Sequence, residues 1–196
     1  MMIQTFAPSI TKDEINQMPI EKFEGRIISI TTEKDADKAC NYLAQFKIVG
    51  FDTETRPNFR KDQHYLISLM QISTDDTCFL FRLNYIGMPQ SLESFLTSNT
   101  TMKIGLSLRD DFHAINRRKE MEPANFFDLQ KYVGNFGIED LSLQKVYAIL
   151  FGKKISKGQR LSNWDADVLN EQQCSYAALD AWACLRIYSF LKSLES

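Results

Sequence analysis

The sequence predicts an α/β fold, a mixed sheet of five to six strands with helices on both faces, and three observations carry that expectation. Strand-length apolar runs at 47–54, 66–73 and 77–83 follow one another closely, and Thr74-Asp75-Asp76 between the last two is long enough only for a hairpin, so these three strands are antiparallel. An apolar strand running into a helical pattern then occurs twice, at 102–119 and 125–136, which implies parallel crossovers. Finally, 196 residues that are 44% hydrophobic and 12% aromatic suffice to bury one substantial core. The expected organisation is one domain over 25–196, preceded by an N-terminal extension over 1–24.

The extension mixes polar and apolar residues without periodicity and reads as an arm that carries no chemistry. A first strand is expected over 26–31. Thr32 then caps a helix over 33–46, where Ala36, Ala39, Cys40, Leu43 and Phe46 recur at helical spacing and face a sheet. The three antiparallel strands follow. Beyond them, the strand over 102–106 enters a helix near 110–119, and the strand over 125–127 enters a helix near 128–136. Ser142 caps a helix that ends at Gly152, and Asn170 caps a long final helix over 171–194. The sequence holds no internal repeat or low-complexity tract.

A formal charge of −2 excludes a polycation, so contact with nucleic acid requires a local basic patch. Cys40, Cys78, Cys174 and Cys184 show no C-x-x-C pairing, which argues against a zinc site and against a secreted disulfide framework. The N-terminus lacks the basic start and apolar core of a signal peptide, and no stretch has the ~20 apolar residues needed to span a bilayer. These features lead to the expectation of a cytoplasmic protein with no membrane partner.

Four carboxylates and a phenol lie in three separated segments: Asp52 and Glu54 in IVGFDTE, Asp111 in GLSLRDDFHAI, and Tyr176 with Asp180 in YAALDAW. On a strand Asp52 and Glu54 share a face, and on a helix so do Tyr176 and Asp180. Each segment has a bland reading. Acidic residues often end strands, an aspartate at a helix start is often a cap, and a helical tyrosine is often core. Together they read differently. Like charges a few ångströms apart raise one another's pKa values, so such a cluster usually holds a divalent cation. Ligands that are all oxygen suit Mg²⁺ or Mn²⁺ rather than zinc.

In these segments the chain resembles the 3′-5′ exonucleases of the DEDD superfamily, ribonuclease H-like in fold, and within it the branch holding ribonuclease D and the Werner syndrome exonuclease domain. The likeness runs from about residue 28 to 191. Its first motif is Phe51-Asp52-Thr53-Glu54, its second spans Gly105 to Asp111, and its third is Tyr176-Ala177-Ala178-Leu179-Asp180, preceded by Leu161-Ser162-Asn163-Trp164. The resemblance implies the tyrosine subtype, since His64 and His113 both lie far from Asp180 in sequence. It also favours Asp111 over Asp110 as the site residue, which leaves Asp110 as the expected helix cap.

The resemblance further implies two divalent cations, Mg²⁺ or Mn²⁺, and release of nucleoside 5′-monophosphates from the 3′ end. Asp52 would bridge both ions, Glu54 and Asp180 would hold the one that activates water, and Asp111 would hold the other. Tyr176 would orient the attacking water. Lys153, Lys154, Lys157 and Arg160 fall in a stretch without acidic residues and are candidates for backbone phosphates, as is Arg56 after the first motif. The Arg117-Arg118-Lys119 cluster needs only a helix C-terminus to explain it. DNA is the favoured polymer, because no helical nucleic-acid-binding domain of the kind ribonuclease D-like proteins carry follows the motifs. Ribonuclease D-like processing of RNA 3′ ends is the alternative, ahead of a non-catalytic nucleic-acid-binding module.

Overall fold

The structure, a computed structural model, describes residues 5–58 and 64–195. Its sheet has six strands: β1 (Arg26–Ile30), β2 (Ile48–Thr55), β3 (Ile67–Ser73), β4 (Thr77–Arg82), β5 (Met102–Gly105) and β6 (Phe126–Asp128), in the order β1-β4-β3-β2-β5-β6. The β2, β3 and β4 strands are antiparallel. The β3–β4 turn closes through Thr74, whose N–H donates to the Thr77 carbonyl at 2.9 Å and whose hydroxyl accepts from the Thr77 N–H at 3.1 Å. On the other side of β2, β5 and then β6 run parallel to it. The sequence left β1 without a partner, and it lies parallel to β4 at the sheet edge.

Every residue of β3 and β4 is buried, as expected of strands covered on both faces. One face carries α2 (Glu33–Leu43), α4 (Gln90–Thr97) and α5 (Leu108–Arg118) over a core that includes Leu43, Val49, Phe51, Leu92 and Ile115. The opposite face carries α6 (Leu129–Val133), α7 (Leu143–Phe151) and α8 (Glu171–Ser193), packed through Leu129, Val146, Tyr147 and Ile187. No described helix is long and apolar enough to cross a membrane.

Three short helices were not expected: α1 (Lys12–Gln17), α3 (Leu83–Ile86) and α4. The signal for α1 is a capping box at Thr11-x-x-Glu14, and the structure forms both of its hydrogen bonds. For α4 it is the helical spacing of Leu92, Phe95 and Leu96. Lys103, fully buried on β5, donates to the Phe95 and Ser98 carbonyls at the end of α4, where a cation complements the helix dipole. Burial pushes its pKa down to about 8.

The expected capping role of Asp110 is corrected. Helix α5 begins two residues earlier, after Ser107 in the left-handed region (φ 67°), and Asp110 is an exposed residue of the first turn. Asp128 at the end of β6 meets that helix start instead, accepting from the N–H groups of Ser107 and Leu108 at 3.0 Å each. It also accepts from Gln130 N–H at 2.9 Å, so one carboxylate caps both α5 and α6.

Candidate active site

The site lies where β2 loses its neighbour on one side. Pairing with β5 stops at Gly50, and β2 continues past it, paired only with β3. Alternation places Gly50, Asp52 and Glu54 on one face. There α8 crosses so closely that a Cβ at Gly50 would lie 1.9 Å from the Ala181 carbonyl oxygen. Glycine on the strand and the run of Ala177, Ala178 and Ala181 on the helix permit this approach, which delivers Asp180 to the strand. One carboxylate oxygen from each of Asp52, Glu54 and Asp180 lies within 4.8 Å of the others.

Asp111 arrives from the opposite face. It accepts a hydrogen bond from the Thr53 hydroxyl, and its charge is felt at Asp52 and Glu54. Asp110 is exposed beside His113, Asn116 and Arg117, away from Thr53. Tyr176 lies one turn before Asp180 on α8, close enough that each side chain acts on the other's titration. Beneath the phenol ring sits Trp164, fully buried, with ring centroids 6.0 Å apart. The segment that carries Trp164 is tied down where the Ser68 hydroxyl donates to Asp165 at 2.6 Å.

Burial, followed by mutual repulsion, raises the acids. Asp52 is held well above the usual carboxylate range by burial and by Asp111, Asp180 and Glu54. Burial and the Asp180 and Asp111 charges push Glu54 up to about 9. Asp180 goes to about 7 through burial, moderated by Tyr176 and Lys157. Asp111 goes to about 6, again through burial, moderated by Thr53. Burial and the surrounding carboxylates also raise Tyr176 above the normal phenol value. Asp180 Oδ1 is buried and without a hydrogen-bond partner among the described residues. A buried oxygen left unpaired beside two further carboxylates, in an all-oxygen donor set, fits a hard divalent cation.

The expected basic residues separate into two groups. Lys157 acts on Asp180 and Arg160 on Glu54, so both face the carboxylates. Lys153 and Lys154 instead engage the N-terminal arm. Lys153 pairs with Glu21 at 3.0 Å, and Lys154 donates to the Asn16 carbonyl at 2.6 Å. Arg56 stacks on the Tyr65 ring at 4.8 Å just beyond the end of β2. Gly50, Thr53 and Asp128 carry much of the geometry, and no motif spacing singled them out as structural parts of the site.

A family profile described as "3′-5′ exonuclease" matches residues 27–194. A 3′-5′ exonuclease of Arabidopsis thaliana is 29% identical, aligned over 94% of this chain and 70% of its own length. The bifunctional 3′-5′ exonuclease/ATP-dependent helicase WRN of Mus musculus is 27% identical over 91% of this chain, but the alignment spans only 14% of that protein. Among solved structures, Escherichia coli RNase D, an exoribonuclease involved in structured RNA processing, superposes with a TM-score of 0.77 at 21% identity. That match covers 87% of this chain and 45% of the RNase D chain, and it shows the shared ribonuclease H-like fold.

Proposed function

Because this chain belongs to the 3′-5′ exonuclease family of the DEDD superfamily, we propose that Asp52, Glu54, Asp111, Tyr176 and Asp180 form its catalytic centre. The reaction is hydrolysis of the terminal phosphodiester of a nucleic-acid strand, which releases a nucleoside 5′-monophosphate and leaves a new 3′-hydroxyl. The observation that carries this reading is the convergence of Asp52, Glu54 and Asp180, with Asp180 Oδ1 buried and without a hydrogen-bond partner among the described residues.

Two divalent cations, magnesium or manganese, are the proposed occupants, and when bound they supply Lewis-acid activation of water and neutralise the leaving 3′-oxygen. The protein's own groups do the rest. Asp52, on which Asp111, Asp180 and Glu54 all act, would hold the cations together with them. Tyr176 stays protonated at neutral pH, because its raised pKa rules out the phenolate; its hydroxyl orients water by hydrogen bonding and is not the base. Lys157, Arg160 and Arg56 take backbone phosphates, and Lys153 and Lys154 contribute through the arm they anchor. The Werner-like likeness over most of the chain supports DNA as the polymer. Four free cysteines support a reducing compartment, the cytoplasm.

The test is a denaturing gel of 5′-labelled single-stranded DNA, 3′-recessed duplex DNA and matched RNA, with Mg²⁺, Mn²⁺ or EDTA. A ladder shortening from the 3′ end, abolished by EDTA and by Asp180→Asn, is expected. Tyr176→Phe should retain measurable cleavage, slowed within about 10²-fold. Undiminished turnover by Asp180→Asn would refute the site, and faster shortening of RNA would overturn the choice of DNA.

A further inference from the structure

A cavity of about 550 Å³ opens between α1 and the 157–161 segment, and Lys12, Asn16, Gln144, Lys157 and Arg160 are among the residues lining it. Among the described residues, no carboxylate joins them. Lys12, Lys157 and Arg160 make no ion pair with any described residue, whereas the neighbouring Lys145 and Lys153 are matched to Asp140 and Glu21. Unmatched cations held together repel one another. After burial, the nearby Arg160 and Lys12 charges hold the Lys157 pKa below its usual value, against the opposing pull of Asp180.

Helix stability does not account for Lys12. It is the first residue of α1, where a positive charge has the wrong sign for the helix dipole. Nevertheless the arm is firmly built. Ile15 is its buried anchor, and the Asn16 carbonyl accepts from Lys154. Glu21 accepts from Tyr147 at 2.7 Å, Lys153 at 3.0 Å and Arg186 at 2.8 Å. The result is a short helix fixed so that Lys12 faces two cations that themselves act on the catalytic carboxylates.

We propose that this cavity is a subsite for the backbone phosphates of the substrate strand upstream of the scissile bond, with Lys12, Lys157 and Arg160 as its phosphate-binding cations. It rests on the exonuclease reading above and extends it to the arm, which lies outside the 27–194 span matched by the family. Lys12 lies in a segment whose sequence alone pointed to no chemistry.

The test is fluorescence anisotropy of 5′-labelled single-stranded DNA with the full chain in Ca²⁺, over a salt series. Lys12→Ala should weaken binding about fivefold at low salt and reduce the slope of log Kd against log salt by about 0.7, the contribution of one phosphate contact on a single strand. Lys12→Glu should weaken binding further, and Lys38→Ala, on the opposite face of the sheet, should match the wild type. Equal affinity and slope in Lys12→Glu and wild type would overturn the subsite, as would absence of binding by the wild type. A wild type that binds normally but shortens no strand in Mn²⁺ sinks the exonuclease reading alone, because the salt slope still decides the cavity.

Discussion

At Asp111, a proposed metal ligand, one hydroxyl adjusts the chemistry of the carboxylate. The Thr53 side chain points away from Asp52 and Glu54 along the strand, yet its donated hydrogen bond pulls the Asp111 pKa down against burial. Thr53→Val keeps the shape and deletes the donor. Asp111 should then hold its proton to higher pH, so apparent Mn²⁺ affinity, followed by calorimetry, should drop more at about pH 6 than at about pH 8. An equal loss at both pH values would mean that Thr53 contributes only packing. The same residue shows what was legible at this scale. Asp52, Glu54, Tyr176 and Asp180 were readable because strand and helix periodicity place them in pairs. Thr53 was not, since its importance depends on a helix 58 residues away.

At the scale of elements, the site depends on how close α8 lies to β2. Gly50 faces the Ala181 carbonyl at a distance no side chain tolerates. Gly50→Ala must push the helix away, with a cost of about 1–3 kcal/mol from overpacking, and it should carry Asp180 away from Asp52 and Glu54. The expected outcome is a lower urea midpoint together with weakened Mn²⁺ binding. A variant that loses stability while keeping its metal affinity would show that the strand–helix distance does not set the site. Alanines at 177, 178 and 181 permit the close approach, but helix propensity says nothing about which strand a helix crosses. Asp128 is comparable: a local reading makes it the cap of α6, and only the β5–β6 pairing brings it to the start of α5.

Across the whole molecule, the buried acids make stability depend on pH and metal together. In the metal-free protein Asp111, Asp180 and Glu54 have folded pKa values of about 6, 7 and 9, all above those of the unfolded chain. Between about pH 4 and pH 9 the native state therefore binds more protons than the unfolded one, and stability falls as pH rises. Divalent cations bound at the proposed site would take the place of those protons. Melting in EDTA should show a Tm that declines from about pH 5 to pH 8, and added Mn²⁺ should raise Tm more at the upper end. A metal-free Tm independent of pH would contradict the buried, mutually repelling cluster.

The sequence by itself determined the α/β class, the antiparallel hairpin, the parallel strands and the identity of the acidic residues, because hydrophobic periodicity and short connections are local properties of the chain. Only the tertiary structure decided the edge position of β1, the capping of α5 by Asp128, and the seating of the arm beside Lys157 and Arg160. Each of these depends on contacts between segments far apart in the chain, and no local pattern encodes which surfaces will meet once the sheet is assembled.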